Sequence, residues 1–254
     1  MLFSNLIRQT GLLHYLNQVL AGFQPNYILK PEKVENFILA PKFYDADFEN
    51  LKLKHSLKAD LISIKQLVDD GILFINTGDE VGKMAYGTGE VPYIRTSDIS
   101  DWGIKLNAKH FVDDETYNRL KIKQDIQEGD ILMVKDGTYL IGTVALITES
   151  DTKIVYQSHI YKIRLNKNIR GLTPYNFLAL LSSNFVQRQI KSKQLTQDII
   201  DSLGKRIYDL LIPIPKDRKV LDQINKQVQL IINLKEKSRN KTVEVQKTLN
   251  TIAD

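Results

Sequence analysis

The stretch Gly129–Gly142, GDILMVKDGTYLIG, decides how the chain is read. Two apolar runs, ILMV at 131–134 and YLIG at 139–142, flank the polar Lys135-Asp136-Gly137-Thr138. An Asp-Gly pair between apolar runs is a hairpin signal. The stretch therefore predicts two neighbouring strands joined by a turn that holds its polar residues outward.

Strand-like patterns continue on both sides. Upstream, EVPYIRTSDIS (90–100) places Tyr93-Ile94-Arg95 in a strand that ends at the turn-forming Thr96-Ser97-Asp98. A short helix is expected near Asp113 to Leu120. Downstream come TYLIGTVALI and then IVYQSHIYKIRL (154–165), which alternates as one strand but carries Gln157-Ser158-His159 in its middle. Polar side chains there are costly unless they find partners. Further upstream, LISIKQLVDDGILFINTG (61–78) runs into the glycine-rich Gly78–Gly89, which contains Lys83 and Tyr86. That run can cradle phosphate with backbone N–H groups or serve as a plain connection, and it matches neither G-x-G-x-x-G nor a Walker loop.

From Thr173-Pro174, a good helix start, Phe177, Leu178, Leu180, Leu181, Phe185, Val186 and Ile190 form an apolar stripe. A second short helix is expected around TQDIIDSLGKRIYDLL (196–211), and Ile212-Pro213-Ile214-Pro215 closes the globular part. The segment from Lys219 to Asp254 has no Pro or Gly and keeps one heptad frame. Its seam is Leu221, Ile224, Val228, Ile231, Val245, Leu249 and Ile252, with polar breaks at Lys235 and Ser238. A helix of about 50 Å follows from a rise of ~1.5 Å per residue. Such a seam needs cover, either from another helix, the reading preferred here, or from the helix's own domain.

Bulk properties agree with a folded body. The 254 residues are 43% apolar and contain no cysteine, which removes disulfides and thiolate metal sites and suits a reducing cytoplasm. The first eighteen residues carry too many polar groups for a signal peptide or membrane span, while Leu2, Leu6, Leu13, Leu16 and Leu20 suit an amphipathic helix. Residues 1–56 read as a helical packing arm. Net charge is only +5, but residues 1–152 hold 16 Lys/Arg against 22 Asp/Glu, and residues 153–254 hold 19 against 8. A basic C-terminal half either meets phosphates or simply solvates helix faces.

Catalytic constellations are missing from the sequence. His14, His55, His110 and His159 stand apart, without H-E-x-x-H or G-x-S-x-G, and no Asn/Asp-Pro-Pro-aromatic tetrapeptide is present. No catalytic residue, metal site or cofactor is expected.

Four blocks in order, EVPYIRTSDIS, GDILMVKDGT with LIGTVALI, QSHIYKIR, and DIIDSLGKRIYDLLIPIP, followed by a long helix, resemble one target recognition domain plus one conserved helix of the specificity (S) subunit of type I restriction-modification systems. The resemblance spans about residues 57–254. It implies an α+β fold: a target recognition domain with a twisted, mostly antiparallel sheet and packed helices (57–216), and a long coiled-coil helix (217–254); the N-terminal helical arm (1–56) does not match the family's usual short entry to that domain. It also implies double-stranded DNA as ligand, with a methyltransferase (M) subunit and, through it, a restriction (R) subunit as partners in a bacterial or archaeal cytoplasm, near the nucleoid. Family subunits usually carry two such domains and two helices. One of each means a half-subunit that forms a homodimer through its helix, or a piece of a longer polypeptide. The alternative reading is the C-terminal recognition region of a fused adenine methyltransferase or restriction enzyme.

Under the resemblance, Arg95 and Lys135 donate to guanine or phosphate, Gln157 pairs with adenine, and Lys83 with its glycine-rich loop makes positioning contacts to the DNA backbone. Asp98 and Asp136 accept from cytosine N4 or merely cap turns. Ser97, Thr138, Ser158 and His159 make positioning contacts, Gly137 lets the backbone approach DNA, and Tyr93 and Tyr139 either stack on bases or belong to the core.

Overall fold

The computed structural model describes residues 46–253 apart from 101, 138, 167–169 and 198–199. The chain divides into two compact units, Met1–Ala46 and Asp47–Asp254, and the second is described here. The expected arm up to residue 45 lies outside the described residues; its last stretch is helix α1, Ala46–Ser56.

The body is α+β, built on mostly antiparallel sheets and ending in a long helix. Strand β1 (Ala59–Ser63) leads through an N-cap, the Ser63 hydroxyl accepting from Gln66 N, into helix α2 (Ile64–Asp69) and then β2 (Leu73–Thr77). Next come β3 (Val91–Ile94), the hairpin β4 (Ile99–Ser100) and β5 (Gly103–Ile104), β6 (Phe111–Val112) and helix α3 (Asp114–Gln124), whose N-cap is Asp113. Strands β7 (Ile131–Val134), β8 (Asp136–Gly137), β9 (Val144–Leu146), β10 (Val155–Tyr156) and β11 (Ile160–Leu165) follow. Helices α4 (Pro174–Ser182) and α5 (Asn184–Lys193) precede β12 (Leu195–Gln197), β13 (Ile200–Ser202) and β14 (Leu211–Pro215), and helix α6 spans Arg218–Ala253.

The centre is the antiparallel sheet β2–β11–β7–β9. All four residues of β7 are buried: Ile131 and Met133 join the core beneath α2, α4, α5 and α6, while Leu132 and Val134 join a second core with Ile94, Ile99, Ile104 and Tyr156. A continuous apolar run is thus a strand covered on both faces. Sheet β10–β3–β6 lies over a third core containing Tyr93, Val112 and Leu120. Strand β14 pairs with β1, Ile212 opposite Ile62, so the closing prolines sit in a two-stranded ribbon where a missing N–H is tolerated. Lys162 of β11 is 1% exposed, and its ammonium donates to Asp125 O at 2.7 Å, at the carbonyl end of α3 where positive charge is favoured.

Several expectations are corrected. YLIG is not a strand: β7 pairs with Val144–Leu146, and residues 139–142 belong to the loop between them. The run 154–165 is two strands in different sheets, broken at Gln157–His159, and this bend removes the cost of polar side chains inside a strand. In place of the expected α-helix, Leu195–Gln197 form β12, Ile200–Ser202 form β13 and Gly204–Asp209 form a 3₁₀ turn. The helical stripe is two helices, because Ser183 ends α4 with extended backbone and caps α5.

The heptad seam is also redrawn. Leu221, Val228 and Ile232 of α6 are buried in the main core, with Ile224 packed beside them. Ile231, Val245 and Leu249 are 39%, 48% and 59% exposed, and the Ile252 side chain lies outside the described residues. The spacing from 221 to 232 is 11 residues, about three turns, which keeps one stripe of an uncoiled helix on a fixed surface. Farther along, Arg239 pairs with the buried Asp151, and Ser150 Oγ donates to Glu236 at 3.2 Å. The first half of α6 therefore folds against its own domain, chiefly α4.

Candidate nucleic-acid interface

The quoted blocks meet at one edge of the body. Strands β3 and β10 run parallel, Tyr93 beside Val155 and Ile94 beside Tyr156, so both deliver their next residues at the same end. Those residues are Arg95 and the bend Gln157–His159, tied together by Gln157 N donating to Ile94 O at 3.0 Å. The bend enters β11, whose Ile160 faces Val134 at the end of β7. Lys135 N then donates to His159 O at 2.9 Å. The start of the glycine-rich run is pinned to the same bend by Asp79 N on Tyr156 O (3.1 Å) and Gly78 N on Ile160 O (3.3 Å). A Cβ at Gly78 would lie 2.1 Å from Tyr156 O, so only glycine permits this approach.

Asp136 is the hub of the edge. One carboxylate oxygen accepts from the Ser202 hydroxyl, and the other from His159 Nδ1 (3.0 Å) and Lys135 Nζ (3.1 Å). Burial works against its charge, but the hydrogen bonds from Ser202, His159 and Lys135 outweigh it and hold the carboxyl below its ordinary pKa. The Ser202 proton goes to a carboxylate, not to an imidazole, so the trio does not activate a nucleophile. Asp136 is 7% exposed and β8 pairs with β13, Ser202 opposite Asp136. Its role is to organise the edge, which corrects the expected base contact.

Two further candidates are internal. Tyr93 is fully buried, its hydroxyl donating to Asp79 O at 3.0 Å, and burial with the nearby Glu80 pushes its pKa up. Asp98, 2% exposed, accepts from Arg95 N at 2.9 Å and caps the turn at 96–98. Gln157 is 7% exposed and stays at the bend. Ser158 donates to Glu80 Oε1 at 2.5 Å, while His159 keeps 37% of its side chain exposed. Lys135 also donates to Ser158 O at 3.3 Å. Gly137 has φ +128° with open space where a Cβ would point. Lys83 and Ser97 are exposed, and Tyr139 is 89% exposed. Thr138 lies outside the described residues.

Arg95 Nη1 lies 3.1 Å from His110 Nε2. A guanidinium only donates, so His110 Nε2 is the accepting side of this contact. The ring of Tyr86 is 4.8 Å from that imidazole, and Arg95 Nε is buried without a partner. Sequence reasoning missed His110, Glu80 and Ser202, whose roles depend on contacts between distant segments. It also passed over Lys205-Arg206, although two cations directly after a glycine were a visible signal. Among the described residues no group of three or more His, Asp or Glu is placed to hold a metal, and no helix is long and apolar enough to cross a membrane.

Against solved structures, the chain is similar to the type IIG restriction endonuclease BpuSI, with a TM-score of 0.51 and 13% identity over 85% of this chain and 33% of that one. The likeness shows a shared fold. The chain is also similar to the S subunit of a type I restriction-modification system from M. genitalium (TM-score 0.48, 14% identity, 68% of this chain and 39% of that one). A third likeness is to the HsdS subunit from Thermoanaerobacter tengcongensis (TM-score 0.42, 14% identity, 74% and 45%). The chain thus spans less than half the length of each of these proteins. No family model and no curated protein matches the sequence.

Proposed function

We propose that the chain is a non-catalytic, sequence-specific DNA-binding subunit that directs an adenine-N6 methyltransferase, and through it a restriction subunit, to a DNA target. The observation that carries this reading is the convergence of Arg95, Lys135 and the 157–159 bend, from three separate strands, at one solvent-facing edge. Cations and hydrogen-bonding groups on rigid strand ends suit the reading of base edges between phosphate contacts. The sequence blocks that resemble S subunits contribute these same residues.

Two copies joined through the exposed stripe of α6 would restore the usual pair of recognition domains, and two-fold symmetry would make the target an interrupted palindrome. The test is selection from a random duplex library by the purified chain with its methyltransferase partner at moderate salt. Enrichment of one split motif is expected, and a flat selection ends the proposal. The likeness to a type IIG restriction endonuclease supports a second reading, a recognition region that works in cis. A separate methyltransferase reading frame beside this one favours the first; one continuous with it favours the second.

A further inference from the structure

A cleft of about 720 Å³ opens beside the reading edge, between the ends of β7 and β11 and the turn that starts at Gly204. Its wall includes Lys135, Asp136, His159, Tyr161, Lys205 and Arg206. Asp136 is the one carboxylate among the described lining residues, and both its oxygens are already occupied by Ser202, His159 and Lys135. Arg206 donates from Nε to Lys193 O and from Nη2 to Ser202 O, both at 2.8 Å. These partners are neutral carbonyls, so they fix the guanidinium's orientation, and Arg206 has no ion pair among the described residues. Lys205 is exposed and has no ion pair among the described residues. The turn presenting both is itself anchored, because Tyr161 donates its hydroxyl to Gly204 O at 2.5 Å. The result is a concave wall with two cations that have no ion pair among the described residues, on a fixed turn, one of them held at two points.

We infer that Lys205 and Arg206 form a seat for a phosphate group, and that the occupant is the phosphodiester backbone of the duplex whose bases face Arg95 and Lys135. This rests on the reading of the edge as a DNA interface and deepens it. The cleft shares Lys135 and His159 with that edge, so a backbone seated there is continuous with the bases being read. A cation on a phosphate releases condensed counterions and carries no sequence information. The seat therefore sets affinity and register without setting specificity. A free nucleotide offers the same phosphate chemistry and is the other source to be separated.

The experiment measures duplex affinity of the full chain against salt, for its selected target and for an unrelated duplex, in wild type and in Lys205→Ala. Arg206→Lys, which keeps charge but cannot reproduce both backbone bonds, reports on the orientation of the guanidinium. One phosphate contact contributes a slope of about 0.9 in log K against log salt, so between 50 and 200 mM wild type should lose about 3.5-fold more affinity than Lys205→Ala. The loss should be equal on both duplexes, with the preference between them unchanged. A Lys205→Ala slope equal to wild type overturns the seat while selective binding, if present, leaves the function standing. A change of preference in Lys205→Ala also overturns it, because the residue would then be reading bases. Adenosine monophosphate is the second arm: binding that depends on Lys205, together with an unchanged duplex slope, assigns the cleft to a free nucleotide and rejects the backbone. Absence of any duplex binding removes both the function and the seat.

Discussion

At the residue scale the edge separates side chains that organise from those that face solvent. Asp136 satisfies a serine, a histidine and a lysine at once, so Asp136→Ala strands three polar partners. A loss of about 1–3 kcal/mol in a urea-unfolding experiment is expected. Its pKa is lower in the folded protein than in the unfolded chain. The stabilisation is therefore complete above the unfolded value of about 4 and is lost as pH falls through the folded one. Urea midpoints between about pH 5 and pH 2.5 should drop more steeply for wild type than for Asp136→Asn. Tyr93→Phe removes one buried hydrogen bond to Asp79, at a cost of about 1 kcal/mol, and should leave DNA selection unchanged because the ring never reaches the surface. Lys135→Ala should weaken duplex binding and, through its bond to Asp136, also lower the melting temperature modestly. Its hydrogen bond to Ser158 O, invisible in the sequence, is a further reason to expect the second effect.

At the element scale, α6 has two apolar faces with different tasks. Val228 is 4% exposed in the main core, whereas Ile231, three residues on, is 39% exposed. Val228→Asp should destabilise the whole body by several kcal/mol, since it buries an unpaired charge. Ile231→Asp should leave the melting temperature within a few degrees and instead abolish self-association measured by light scattering. If both variants behaved alike, the assignment of the two faces would fail. Heptad reading found the helix and its C-terminal stripe. It misassigned the first half because a domain surface and a partner helix impose nearly the same spacing over three turns. The bend at 157–159 shows the same limit in a strand: the run from 154 to 165 reads as one strand with a polar trio inside it, although the chain changes sheets there.

At the scale of the whole molecule, the body and the first half of α6 form one unit, so truncation has a threshold. Removing residues after 240 should keep the body folded and lose only self-association. Removing Lys219 onward takes Leu221, Val228 and Ile232 out of the core and should give an unstable product, read by thermal melting. The sequence by itself determined the strand at 131–134, a helix near Asp113, the helix start at Thr173 and the long terminal helix, while the α+β class came from the resemblance of its blocks. These elements follow from local periodicity and capping chemistry, which act over a few residues. Which strands pair in parallel, that Arg95 and the 157–159 bend emerge together, that Asp136 and Tyr93 turn inward, and that Lys205 and Arg206 face a cleft were decided only by the tertiary structure. Those facts depend on contacts between segments tens of residues apart, where burial and hydrogen-bond satisfaction override local preference.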